Sequence, residues 1–356
     1  MLVYICNFLS VPIYGKLIKS KKLLVAIISL QTFLILALRH ELLGVDLVGY
    51  REYYYGYQAF SFGDIFNGFS LIENKLGFEF GYVLLNKIVG SLGFDFHGFL
   101  VVYAAICILC VSRFIYRYSD DVPMSFMIFF SLGAFVTMFG ILRQSLGLAI
   151  LLFAIPSIKK KHFIRFLLLI LLASLFHKTL LLAFPLYFLD RIRVKRSTYF
   201  KMIICSFLII AVTPILSNLL VKVMAMFGKN YSSTGFEWNN MYLVILFLTA
   251  FVALFYDFEN DQNDNVFHWG FIFALLIQSL TFYYPVFSRI SNAIFMNFTC
   301  IVLAKAFQMK QKDLTFRGPL RFAMICGLLV LFVYSLKGSQ EMVPYTAFWQ
   351  EVSIKI

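Results

Sequence analysis

The chain reads as an all-α, polytopic transmembrane helical bundle. Three observations predict this. Of 356 residues, 61% are hydrophobic, and the mean hydropathy is +0.83. Charged residues make up only 14%, against roughly a quarter in a soluble domain, which is too few to coat a soluble fold. The apolar residues come in runs approaching the ~20 residues that cross a bilayer. Disorder, collagen and a small disulfide scaffold are excluded by the same composition. Residues 1–356 are therefore read as a single integral membrane domain.

The elements follow in order. The first run, 2–18, lacks a basic start and ends in lysines, so it reads as a span and not as a cleavable signal. The second is 22–38. The next full apolar run starts only at 98, which makes 39–97 a periplasmic segment. Within it, 77–92 is apolar but carries Glu79, Asn86 and Lys87, which are costly in lipid. An interfacial or re-entrant helix is expected there. Spans follow at 98–116, 124–141 and 143–158. Residues 163–189 are too long for one crossing and too short for two, are basic at both ends, and hold His177-Lys178 midway. They read as a short hairpin, 163–176 and 178–189, with its apex outside. The remaining runs are 199–217, 240–256, 266–284, 288–308 and 320–336. Together these give about 11–13 membrane segments.

Loop charges set the orientation. Five connections are basic: Lys16 to Lys22, Arg113/Arg117, Lys159 to Arg165, Arg191 to Arg196, and Lys305 to Arg321. They hold 19 of the 31 Lys and Arg residues. Placing all five in the cytoplasm satisfies the positive-inside rule and puts the N-terminus in the periplasm. The 228–239 loop and the tail after Lys337 are then external, and the acidic 257–265 loop is cytoplasmic. The net charge of +13 is explained by topology. A nucleic-acid partner is not expected, because no solvated domain carries the charge. The six cysteines lie in apolar runs, and Cys107/Cys110 has no His or second pair nearby, so no metal or redox site is expected. No Walker loop, HExxH or GxSxG is present. No cofactor is expected.

Polar residues beside the bilayer are expensive and mark candidate sites. In this topology they gather on the outer face. Arg39 ends the second span, just before His40, Glu41 and Asp46. Arg143-Gln144 sits at an outward turn, His177-Lys178 at the hairpin apex, Arg289 at the outer end of a span, and Glu79 in the interfacial helix. Each arginine has a plainer reading as a snorkelling side chain, and His177 as a helix–helix hydrogen-bond partner. Tyr50, Tyr53, Tyr54, Tyr55 and Tyr57 read either as an aromatic belt or as a platform for sugar faces. Outward arginines with a histidine suit an anionic substrate from the outer leaflet. Guanidinium forks grip phosphate oxygens in pairs, and a diphosphate-linked lipid fits that chemistry.

At these residues the sequence resembles the EpsG-like membrane proteins. The ordered features are Arg39…Gly44-Val45-Asp46…Tyr50, then Glu79-Phe80-Gly81-Tyr82. Further on come Leu142-Arg143-Gln144, the basic turn Lys159–Lys161, and Ala173-Ser174-Leu175-Phe176-His177. Arg289 and Pro344-Tyr345 match weaker C-terminal features. Phe80 stands where the family often has Pro, and Lys178-Thr179 where a Ser is commoner. The resemblance implies a Wzy-type polymerase of O-antigen or exopolysaccharide repeat units. That is a metal-independent membrane glycosyltransferase of the bacterial inner membrane, acting on undecaprenyl-diphosphate-linked oligosaccharides. On that reading Arg143 and Arg289 hold the diphosphate, with Arg39 as a third. His177 is the base with Asp46 as alternate, and Glu79 is a sugar ligand. Tyr50, Gln144, Lys178 and Tyr345 complete the substrate-binding set. Expected partners are the bilayer, a chain-length co-polymerase and a flippase. A flippase or transporter of lipid-linked units and an O-antigen ligase remain competing readings. Against the first stands the lack of internal symmetry.

Overall fold

The computed structural model describes residues 1–44, 46–68, 78–215, 222, 241–254, 264–311, 317–338 and 342–350. The expected 228–239 loop, most of the 257–265 loop, and parts of the 39–97 segment and of the tail after Lys337 lie outside them. Local signals set the helix starts. Ser20 accepts from Leu23 N at the start of α2 (Lys21–Ala37), which follows α1 (Leu2–Leu17). Two short helices lie in the 39–97 segment, α3 (Leu47–Gln58) and α4 (Phe80–Ser91), with a helical stretch at 62–68 between them. Asp95 caps α5 (Phe96–Tyr118) through Gly98 N. Asp121 caps α6 (Val122–Ser131) through Met124 N, with Pro123 in the first turn, where its missing N–H costs nothing.

The rest is α7 (Ala134–Thr137), α8 (Leu142–Lys159), α9 (Phe163–Ser174), a 3₁₀ turn (Lys178–Ala183), α10 (Leu186–Leu189), α11 (Arg196–Val212), α12 (Met241–Ala253), α13 (Asn265–Ser279), α14 (Val286–Ile290), a π turn (Ser291–Phe295), α15 (Met296–Gln311) and α16 (Arg317–Gly338). Among the described residues, five helical segments are long and apolar enough to cross a membrane: Phe96–Tyr118, Leu142–Lys159, Asn265–Phe282, Phe287–Ala306 and Gly318–Gly338. Five shorter apolar helices accompany them. The chain is a multi-pass, all-α membrane protein. In its interior α5 packs on α2 and α8, and α15 packs on α6 and α13.

Two segments form elements shorter than a full crossing. Residues 163–189 form a short hairpin. The Tyr187 hydroxyl donates to Lys161 O at 2.8 Å, which ties the two basic ends together. Twelve residues of α9 rise about 18 Å, well short of a ~30 Å core. The 77–92 segment yields only the twelve-residue α4, again too short to cross. Lys87 Nζ and Gln58 Nε2 bind the facing backbone, at Gln58 O and Asn86 O, and fasten α4 to α3.

One expectation is corrected. Residues 124–141 are not one span. The helix breaks at Gly133, whose φ of +78° is the left-handed region open to glycine. α7 is a single turn, and the chain runs irregularly to α8. A broken helix frees carbonyls that need donors inside a membrane. Met138 O receives two, from Tyr103 Oη at 2.8 Å and Arg39 Nη1 at 3.3 Å.

The basic connections converge on one face. Lys159 and Lys305 both pair with Asp264, and Arg321 pairs with Asp121. Lys21 donates to Ser119 O. Asp190 accepts from Val266 N, and Asn265 accepts from Val194 N. Asp264, at the end of the acidic loop, therefore neutralises lysines from two separate connections.

Candidate functional site

The site lies where four irregular starts meet. The N-cap of α3 is Asp46, with φ +66°. The N-cap of α4 is Glu79, and Arg143 and Gln144 open α8. His177 caps the 3₁₀ turn in the hairpin. Two glycines make these approaches possible. A Cβ on Gly44 (φ +145°) would sit 2.1 Å from Phe139 O, and one on Gly81 would sit 2.9 Å from Leu175 O. Gly81 N donates to that same Leu175 carbonyl at 2.8 Å, docking the hairpin apex on the start of α4.

Arg143 is the centre. Its Nη1 lies 2.6 Å from Glu79 Oε2, and the side chains are 19% and 11% exposed. Its Nε donates to Tyr50 Oη at 3.3 Å. The guanidinium lies over the Phe78 ring, 4.3 Å from its centroid, and Phe78 stacks on Tyr50. Burial raises the pKa of the Tyr50 phenol, and the Arg143 guanidinium opposes that shift. Tyr50 stays a neutral partner. The second oxygen of Glu79, Oε1, accepts from Lys178 N at 3.4 Å. Glu79 thus joins α4, α8 and the hairpin apex. Each of its oxygens accepts one bond from within the protein.

His177 is held by its neighbour. Its Nδ1 accepts from Thr179 N at 3.3 Å and lies 2.7 Å from Thr179 Oγ1. Gln144 Nε2 donates to that hydroxyl at 3.3 Å. The consistent assignment runs Gln144 N–H to Thr179 O–H to His177 Nδ1. A neutral imidazole then carries its proton on Nε2. In that assignment Nδ1 is the engaged nitrogen.

Asp46 and Arg289 form a second pair. Their closest approach is 4.0 Å, and both side chains are more than half exposed, 59% and 56%. Arg289 is followed directly by the π turn, a distortion that recurs at functional sites. Asp46 lies four residues before Tyr50 on α3, and one helical turn rises about 5.4 Å. The exposed pair and the Arg143 cluster are thus neighbours along one helix.

Two candidates stand elsewhere. Arg39 is fully buried (0% exposed), with Nε and Nη2 lacking hydrogen-bond partners. It lies over Phe139 at 4.9 Å and Tyr103 at 6.0 Å, and it bridges to Ala347. Tyr345 packs edge-on against Tyr4 and spends its hydroxyl on Ile35 O. As packed, Arg39 is enclosed and the Tyr345 hydroxyl is spent on a backbone carbonyl. Of the tyrosine cluster, Tyr50, Tyr54 and Tyr57 are buried, so they form packing and not an open platform. Phe78 and Thr179 were not singled out from sequence. An aromatic beside Glu79 and a hydroxyl two residues after the histidine were the available signals.

Among the described residues, no three His, Cys, Asp or Glu side chains cluster as metal ligands would. A family model described as the EpsG family matches residues 22–347. No curated protein and no solved structure matches the chain.

Proposed function

The chain belongs to the EpsG family, a Wzy-like polymerase family, and from that premise we propose that it is a polysaccharide polymerase of the bacterial inner membrane. It transfers a growing glycan from undecaprenyl diphosphate to a hydroxyl of a lipid-linked repeat unit at the periplasmic face. One observation carries this reading. Arg143, Glu79 and Tyr50 are joined by hydrogen bonds across separate elements, His177 is tied through Thr179 to the neighbouring Gln144, and the Asp46–Arg289 pair sits one turn away. Two arginines and two carboxylates meet there, and Asp46 is the more exposed of the two acids.

The chemistry assigns the roles. The bond between the anomeric carbon and the diphosphate oxygen breaks, and the acceptor oxygen bonds that carbon. The acceptor proton passes to a base, and undecaprenyl diphosphate leaves. Charge grows on the leaving diphosphate. Preorganised donors there lower the barrier most. Arg143, Arg289 and the His177 Nε2–H supply such donors. Asp46 is the base, since its carboxylate is exposed beside Arg289 while Glu79 is occupied. Glu79, Tyr50, Gln144 and Thr179 position the donors, and Lys178 contributes its backbone N–H to Glu79. The helices α3 and α4 form the periplasmic cover of the site. A chain-length co-polymerase and an upstream flippase are the expected partners.

The test is a gel of surface polysaccharide from cells lacking the gene. Single repeat units on lipid A-core, or on the equivalent acceptor, with no ladder support the polymerase. Bare acceptor with no repeat unit overturns it in favour of a flippase or ligase.

A further inference from the structure

On the basic face, away from the candidate site, two cavities meet at Arg113. The larger is an apolar groove of about 730 Å³ between α2 and α5. It runs from Lys22 to Phe33 on one helix and from Ala105 to Tyr116 on the other. Eleven residues of helix rise about 16 Å, close to half of a ~30 Å hydrocarbon core. The groove is as deep as one leaflet. Leu30 and Leu109 in its walls are exposed, so it opens toward the surrounding membrane. The smaller cavity, about 110 Å³, is lined by Arg113, Arg117, Lys160, His162 and Arg165. Phe153 also lines it, and the Arg113 guanidinium lies over that ring at 5.1 Å.

The charge here is unbalanced. Among the described residues no carboxylate pairs with Arg113, Arg117, Lys160 or Arg165. Of the acids on this face, Asp121 and Asp264 are taken by Arg321, Lys159 and Lys305, and Asp190 accepts from Val266 N. The positive-inside rule explains why basic residues lie on this face. It does not explain why four of them ring one small cavity that continues into a leaflet-deep apolar groove. Basic pockets between membrane helices bind anionic headgroups, and guanidinium forks suit phosphate oxygens.

The geometry points to a binding site for an anionic phospholipid of the leaflet on the basic face. Its acyl chain lies in the α2–α5 groove, and its phosphate lies among Arg113, Arg117, Lys160 and Arg165. This site is independent of the polymerase reading and makes no contact with the Arg143 cluster.

The test uses the purified full-length chain in mild detergent. It is offered phosphatidylglycerol, phosphatidylcholine of the same chains, or inorganic phosphate. Native mass spectrometry reads retained lipid, and a thermal melt reads stability. The expected result is selective retention of phosphatidylglycerol and a melting point raised by several degrees with that lipid alone. The double variant Arg113→Gln/Arg165→Gln retains at least tenfold less. Ala105→Trp, which fills the groove and leaves every charge in place, also lowers retention and covers the case in which the double variant fails to fold. Equal retention of both lipids overturns the proposal, as does undiminished retention by the Ala105→Trp variant. A shift reproduced by inorganic phosphate alone marks a free-anion site and overturns the lipid assignment.

Discussion

Arg39 and Arg143 make the instructive comparison. Both follow or open a helix, both lie over an aromatic ring, and both touch the same irregular stretch of chain, since Arg39 binds Met138 O and Arg143 follows five residues later. Their surroundings differ. Arg39 is sealed, and its one hydrogen bond goes to a backbone carbonyl freed by the break after α6. Arg143 keeps part of its side chain accessible and is held by a carboxylate and a phenol. A buried charge without a counter-ion is costly, by several kcal/mol. The fold accepts that cost at Arg39 because a broken membrane helix leaves a carbonyl in need of donors. At Arg143 the counter-ion is an acid whose place a phosphate oxygen can share. Accessibility with an exchangeable partner marks chemistry, whereas enclosure with a backbone partner marks architecture.

The largest expected effect tests the chemical half of that contrast. Arg143→Ala removes the central donor and leaves Glu79 with an unpaired carboxylate. Polymerisation measured in membranes should fall by about 10²–10³, the usual loss for a donor to developing charge, with protein level unchanged. Normal long chains from a well-expressed variant would remove Arg143 from the site. His177 comes next. As an Nε2–H donor it is better replaced by Gln, whose amide reaches about as far as Nε2, than by Asn. His177→Asn should lose about tenfold or more, and His177→Gln noticeably less. Lys178→Ala should be mild, because only the Lys178 backbone meets Glu79. If Gln and Asn are equally inactive, the imidazole acts as a base and the donor assignment is lost. A smaller effect belongs to Thr179. In Thr179→Val the backbone N–H still holds Nδ1, so the tautomer survives and only the link to Gln144 is cut. The rate should drop by about threefold to tenfold, in line with one neutral hydrogen bond, and Thr179→Ser should restore it. An unchanged rate in the valine variant would show that the Gln144 link positions nothing.

Much of this was legible in the sequence, and the physical limits of the rest are clear. The fold class follows from composition, because a chain this poor in charge cannot build a solvated surface. The hairpin followed from length and from basic residues at both ends, and the Tyr187–Lys161 bond joins those ends. Arg143, Glu79, Tyr50 and His177 were all singled out; contacts link the first three, and His177 reaches Gln144 through Thr179. The break at Gly133 was hidden, because residues 124–141 are apolar throughout and hydropathy does not register a single left-handed residue. The enclosure of Arg39 was hidden for a related reason. A cation at a helix end looks the same in sequence whether it faces lipid headgroups, substrate or an aromatic box. Thr179 was passed over because its contact with His177 exists only once the 3₁₀ turn has formed. The same holds for Asp264, whose value lies in two lysines 105 and 41 residues away.

The smallest expected effect on activity sharpens the architectural half. Arg39→Met removes the buried charge, keeps most of the volume, and leaves Met138 O with its bond from Tyr103 Oη at 2.8 Å. Replacing a buried charged group by an apolar side chain of similar size is often neutral or stabilising, and one lost hydrogen bond costs about 0.5–1.5 kcal/mol. The two terms nearly offset, so the melting temperature in detergent should move by only a few degrees, and polymer length and yield should stay near wild type. Arg39→Ala adds a cavity between Phe139 and Tyr103, and should cost about 2–5 kcal/mol of stability with a matching fall in protein level. Activity per molecule should hold. The decisive comparison is therefore activity per folded molecule. If Arg39→Met melts normally yet polymerises as poorly as Arg143→Ala, then the box opens during the reaction and Arg39 reaches the substrate. The line drawn between the two arginines would then have to move.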